Sequence, residues 1–202
     1  MKRYGYLIEK VIDRDNLEES FKVVMRGKKR TRTTLYLYRN KERLLSEIAA
    51  EVQSGAYKPT GYREFEVVEN GKVREIQSLP FKDRIALHAI MNVVSEIFTP
   101  KLIRDTYASL PGRGIHDGLN RIQTALKDRS NTEYCLKLDL KKFYHSVDQD
   151  KLIEMLGNKI KDKRMMTILI AIIRSYDKGL PIGYHSSQLL GNFYLFALDY
   201  YV

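Results

Sequence analysis

The chain has 202 residues, 44% of them hydrophobic, enough for one large domain or two small ones around a real core. Lysine and arginine total 35 against 25 acidic residues, and the formal charge of +10 favours an acidic partner such as nucleic acid or, less specifically, an anionic membrane surface. No apolar run approaches the roughly 18 residues that span a bilayer, and MKRYGYLIEKVIDRD meets charge too soon for a secretory signal, so a cytoplasmic protein with no membrane contact is expected.

Residues 5 to 24 set Leu7, Val11, Leu17, Phe21 and Val24 among charges, which predicts one or two short amphipathic helices outside a core. In residues 25 to 33, MRGKKRTRT, the cations Arg26, Lys28, Lys29, Arg30 and Arg32 meet no acid, and Gly27 with the threonines disfavours a simple helix. Such a run is either a solvated loop or a phosphate-backbone contact that releases counterions. Residues 41 to 54 predict a helix through Leu44, Leu45, Ile48 and Val52, stopped by Gly55. The period then changes: residues 62 to 79 alternate on both sides of Asn70-Gly71, a two-residue hairpin signal. Lys72 and Arg74 share a face of the second strand, which suits either an exposed polar face or a triphosphate.

Residues 79 to 98, LPFKDRIALHAIMNVVSEIF, predict a Pro-Phe entry into an apolar, mostly buried helix. YASLPGRGIHDGL, residues 107 to 119, places glycines around Arg113, a tight connection or a phosphate contact, before a helix through Leu119, Ile122 and Leu126. In residues 134 to 140, Tyr134, Leu136, Leu138 and Leu140 alternate with Cys135, Lys137 and Asp139, the pattern of a strand with one face on a core. Asp139 taken alone is a turn or capping carboxylate. With Lys141, Lys142, Phe143 and Tyr144 directly after it, it suits a polyanionic substrate bearing a flat ring, and a strand-end carboxylate is poised to hold a metal ion. Ser146 and Asp148 are candidate caps of a helix carrying Leu152, Ile153 and Leu156. A second apolar helix covers 164 to 176, and GLPIGYHSSQLLGNFYL, residues 179 to 195, is a Gly/Pro turn entering a third. The lone cysteine permits no internal disulfide, and His88, His116, His145 and His185 show no i, i+4 pair, so none is read as a metal ligand.

Four of these stretches, ENGKVREIQSLPFKDRIALHAIM, YASLPGRGIHDGL, LKLDLKKFYHSVD and GLPIGYHSSQLLGNFYL, are collinear with motifs of reverse transcriptases over roughly residues 60 to 200, and the chain resembles that family. The resemblance implies an α+β fold, the fingers and partial palm of a right-hand polymerase, helix-rich with a basic β-hairpin and a short antiparallel palm sheet. It divides the chain into an N-terminal helical extension and basic loop (1 to 60), fingers (61 to 130) and partial palm (131 to 202). It implies RNA-templated DNA synthesis with two Mg²⁺ or Mn²⁺ ions at Asp139 and the adjoining Leu140. Tyr144 would exclude ribonucleotides, and Lys72, Arg74, Ile182, Gly183 and Gln188 would meet the incoming dNTP. Arg26, Lys28, Lys29, Arg30, Arg32, Lys82, Arg84, Arg113 and Ser187 would lie along the RNA template and its DNA or RNA primer, with Lys82 and Arg84 alternatively bracing the fingers.

Where many relatives have Pro-Gln-Gly and then Ser-Pro, this chain has Ile182 and Gln188. That form is similar to the reverse transcriptases of diversity-generating retroelements, which implies error-prone copying and a small basic accessory protein as partner. Group II intron, retron and other bacterial enzymes are the alternative, as is a non-catalytic nucleic-acid-binding module. The family's Tyr-x-Asp-Asp hairpin, which carries the other metal-binding carboxylates, is not found before Tyr200-Tyr201-Val202, and no thumb follows. The expectation is therefore an N-terminal portion of a longer enzyme that does not polymerise alone.

Overall fold

Helix α5, Phe81–Phe98, is apolar on nearly every side, with Ile85, Leu87, Ile90, Met91, Val94 and Phe98 all buried, so it is stable only when wrapped. The wrapping comes from α1 (Leu7–Val11), α2 (Arg14–Met25), α4 (Lys41–Ser54) and α10 (His185–Asp199), each turning one apolar stripe inward. Phe98 meets Phe193 of α10 with ring centroids 4.0 Å apart. Helices α8 (Gln149–Gly157) and α9 (Lys163–Arg174) extend the core through Leu152, Leu156, Ile168 and Leu169. The computed structural model describes residues 3–69 and 71–201, and the side chains of Glu69, Lys72 and Arg74 also lie outside that description.

Helix boundaries follow local chemistry. Asp13, Asp148 and Asp162 each cap a helix by accepting backbone N–H groups in its first turn, at α2, α8 and α9. Asp162 also accepts from Leu7 N (2.9 Å), which ties the start of the chain to α9. Gly55, at φ 75°, ends α4 in the left-handed conformation that a side chain disfavours. The basic run is shorter than its sequence suggests, because a Thr31–Thr34 capping box starts α3 at Arg32, running to Arg39. Arg32 is therefore the first helical residue and not part of the loop.

The hairpin forms where expected: β1 (Arg63–Glu69) pairs antiparallel with β2 (Lys72–Ser78), in a register that sets Glu64 opposite Gln77 and Glu69 opposite Lys72. It is the only sheet among the described residues, and neither strand pairs elsewhere. Asn70 of the turn lies outside the described residues.

One expectation needs correction. Residues 134–140 form no strand; residues 133–140 make no hydrogen bond among the described residues. Leu136 is 80% and Leu138 70% exposed, and Cys135 is exposed as well. The alternating pattern specifies a face, but a strand also needs a neighbour to complete its ladder of N–H and C=O groups, and none is present here. Helix α6 (Ile115–Ala125), just before it, shares the condition, with Ile115, Leu119 and Ile122 exposed along one stripe. The short α7 (Phe143–Ser146) follows, entered through Lys142 at φ 51°.

Leu169 and Leu136 are thus identical in kind and opposite in surroundings. Leu169→Ala should cost about 2–5 kcal/mol of stability, and Leu136→Ala less than about 0.5 kcal/mol, as read from urea midpoints.

Candidate nucleotide and nucleic-acid interface

The site is built on the turn at 179–183. Gly179 has φ 68°, and a Cβ there would lie 2.1 Å from the carbonyl oxygen of Tyr144, so only glycine fits. Leu180 N–H donates to that same oxygen at 2.8 Å. On the other side, Gly191 of α10 leaves room for the rings of Phe143 and Tyr144, which a Cβ would approach to 3.1 and 3.3 Å. Tyr144 is therefore held by backbone and ring together, and burial pushes its phenol pKa up. Gln149 anchors the turn from below: its buried Nε2 donates to the carbonyls of Ile173 (3.0 Å), Tyr176 (2.8 Å) and Gly179 (2.8 Å), while its Oε1 accepts from Arg174 (2.9 Å). Sequence reasoning passed over Gln149, because a glutamine after a helix cap carries no signal until its acceptors are in place.

The hairpin meets this turn at its root. Gln77 N–H donates to Ile182 O at 3.0 Å and Ile182 N–H donates to Gln77 Oε1 at 3.0 Å. Gly183, at φ 103°, lies so close that a Cβ would be 2.7 Å from Gln77 O. The fold thus brings Tyr144, Ile182, Gly183 and the strand carrying Lys72 and Arg74 to one place, although the side chains of those two cations lie outside the described residues. Asp139 and Leu140 sit on the exposed segment leading into Tyr144. Among the described residues no group of three His, Cys, Asp or Glu side chains is placed to hold a metal ion. Asp139 offers one ligand position, and these residues do not by themselves fit a two-ion site.

The cations fall into two sets. Arg26, Lys28, Lys29, Arg30 and Arg32 are exposed and make no side-chain hydrogen bond or ion pair among the described residues. The others are committed internally. Lys82 pairs with Glu51 at 2.7 Å; Arg84 donates to Leu79 O (2.8 Å) and Ser78 Oγ and stacks on Phe81; Arg113 donates to Ile103 O (2.9 Å). Lys82 and Arg84 therefore act as braces in this structure. Between the free basic loop and the hairpin root lies a cavity of about 440 Å³, lined by Lys28, Phe65, Ile76, Arg84, His88 and Gly183 among others.

On α10, Ser186 and Ser187 are buried, and the Ser187 hydroxyl finds no partner among the described residues, so this side chain is not presented at the surface. Gln188 is exposed and hydrogen-bonded to Ser109, a residue at φ 53°, while Asn192 donates to Ala108 O at 2.7 Å. The loop before Gly112-Arg113-Gly114 is thereby latched to α10.

A helix-rich body carrying a two-stranded hairpin, with Lys72 and Arg74 on β2, against a Pro-x-Gly turn defines the chain as the fingers and part of the palm of a right-hand polymerase. More particularly, it belongs to the reverse transcriptase family: the family model described as reverse transcriptase (RNA-dependent DNA polymerase) matches residues 57–199. It is similar to Protein YkfC of Escherichia coli K12, 26% identical over 183 residues, covering 81% of this chain and 48% of that protein. It is also similar to the group II intron-encoded protein LtrA of Lactococcus lactis subsp. cremoris, 24% identical over 173 residues, covering 80% of this chain and 28% of that one. Among solved structures, a chain of a partial Cas6-RT-Cas1–Cas2 complex superposes with a TM-score of 0.54 at 19% identity, covering 96% of this chain and 34% of that one. The chain thus spans about half or less of these relatives. No described helix is long and apolar enough to cross a membrane.

Beside the cavity, His88 stacks on His185 with centroids 5.4 Å apart, and its Nδ1 lies 3.2 Å from Ser20 Oγ. Burial lowers the His88 pKa below 6.5, the His185 ring adds to that, and Glu19 opposes it. A base depressed in the folded state binds fewer protons folded than unfolded, so the stability it permits is present at neutral pH and is lost as pH falls through about 6.5. The thermal midpoint should therefore fall between pH 7.5 and about 5, and His88→Gln should flatten that dependence.

Proposed function

We propose that the full-length protein synthesises DNA on an RNA template, and that this chain supplies the nucleotide-binding turn, the hairpin and one catalytic carboxylate. The observation that carries this reading is the convergence of Tyr144, Ile182, Gly183 and the hairpin root on one turn, with Asp139 five residues ahead of Tyr144. Lys72 and Arg74 would face the triphosphate of an incoming deoxynucleotide from β2, and the fixed ring of Tyr144 would meet its sugar. A rigid wall excludes a 2′-hydroxyl by shape only if it cannot yield. Tyr144 is held by Leu180 and beside Gly191, which supports that role.

Asp139 is the carboxylate this chain offers to a divalent cation, the remaining ligands coming from residues other than those described. Magnesium, when bound, supplies charge neutralisation at the reacting phosphate. The free cations of 26–32 and the adjoining cavity would track the template strand, each neutralised phosphate adding to the salt dependence.

The assignment within the family rests on Ile182 and Gln188, which favour a diversity-generating retroelement enzyme with a small basic accessory protein. The likeness to LtrA favours a group II intron-type enzyme as the second reading. Copying of an adenine-rich template separates them, since the first reading expects misincorporation concentrated at template adenines and the second does not.

Two outcomes are expected. Asp139→Ala in the full-length protein should lower primer extension by at least about a hundredfold, and undiminished extension would end the assignment. Lys28→Gln with Lys29→Gln should reduce the slope of log affinity against log salt for single-stranded RNA by about 0.7 per lysine, measured by fluorescence anisotropy between low and moderate salt.

A further inference from the structure

The hairpin is a two-stranded ribbon with no other strand beside it among the described residues, and Val68 and Val73 near its tip are 70% and 61% exposed. Isolated two-stranded hairpins are marginal in water, so its orientation has to be set at the root. There, Gln77 is 1% exposed and is the one buried polar side chain among the described residues of either strand. Its backbone N–H and side-chain Oε1 take both polar groups of the Ile182 backbone, each at 3.0 Å, and its Nε2 reaches Glu64 Oε1 across the ribbon at 3.4 Å. The contact joins positions 105 residues apart. Gly183, with no room for a Cβ against Gln77 O and Ile76 Cγ2, lets the two backbones close to this distance. On the far side, Ile182 is two residues from Leu180, whose N–H is bonded to Tyr144 O. A line of backbone contacts therefore runs from Tyr144 through the turn to the hairpin.

We propose that Gln77 is a positioning residue: it fixes the angle of the hairpin against the turn and so sets where Lys72 and Arg74 stand relative to Tyr144. This rests on the function proposed above. Lys72 is five residues from Gln77 along β2, about 16 Å at the rise of a strand. At that reach a rotation of a few degrees at the root displaces the tip by about 1 Å, enough to misplace charge on a triphosphate. Glu64 is the second member of the device, because it orients the amide so that Oε1, and not Nε2, faces Ile182.

The test uses Gln77→Leu, similar in size but lacking the acceptor, and the exchanged pair Glu64→Gln with Gln77→Glu. In that pair a carboxylate accepts from Ile182 and from the new amide across the ribbon. Amide hydrogen exchange on the 202-residue chain reads the clamp without any activity. Ile182 N–H should exchange about tenfold faster or more in Gln77→Leu and regain protection in the exchanged pair. In the full-length protein, KM for deoxynucleotide should rise about three- to tenfold in Gln77→Leu, with kcat within about twofold, and return in the pair. Unchanged Ile182 exchange overturns the clamp. Faster exchange with unchanged KM, or equal losses in kcat and KM uncorrected by the pair, overturns the positioning role. A wild-type protein that extends no primer defeats the proposed function itself, and the inference falls with it.

Discussion

The structure depends on burying α5. A helix with apolar residues on most of its sides cannot sit at a surface, so α1, α2, α4 and α10 each cover one of its sides, and the turn at 179–183 is the entrance to one of those covers, α10. Asp83, fully buried in the first turn of α5, ties the start of α5 to the loop before the hairpin. Its carboxylate accepts from Thr60 N–H (3.1 Å), Thr60 Oγ1 (2.6 Å) and Tyr57 OH (3.2 Å), so the loop leading into the hairpin is bonded to the same helix. Burial, reinforced by that carboxylate, pushes the Tyr57 phenol pKa up, and the hydroxyl stays a donor. The two ends of the hairpin are thereby tied to one rigid element, one through Thr60 and the other through Leu79 and Arg84.

Much of this was legible in the sequence, for reasons that are local. Asn70-Gly71 between alternating runs fixes a hairpin because few residues tolerate the turn, and the apolar run from Ile85 to Phe98 fixes a buried helix because nothing else hides it. The turn at Gly179 and Gly183 was marked by its glycines, and both are needed where they stand. What could not be read was how polar side chains divide their partners. Lys82, Arg84 and Arg113 look in sequence like Lys28 and Arg30, and they differ only because Glu51, Leu79 O and Ile103 O come within reach in the fold. Gln77 and Gln149 carried no motif at all. Helix α3 was missed because its start is signalled by paired threonines in a run that charge dominates.

The Asp139 segment is the instructive disagreement. Its pattern is that of a strand, but no strand forms, and without hydrogen bonds among the described residues about eight residues of backbone face water. The apolar stripe of α6 precedes it, likewise uncovered, so the stretch from Ile115 to Leu140 is where the described residues bury least. By contrast, the pair Phe143 and Tyr144 a few residues later is tightly packed, against Gly191 and the turn at Gly179. The boundary between the two falls at Lys142, whose left-handed backbone redirects the chain into the packed aromatic pair.

That uncovered stretch also bears on how the chain behaves toward itself. A run with Leu136, Leu138 and Leu140 exposed and no backbone hydrogen bonds among the described residues is a template for another copy to pair with as a strand. In isolation a surplus of ten positive charges keeps copies apart. A polyanion that neutralises those charges removes that repulsion, so that near charge balance the bare edges meet.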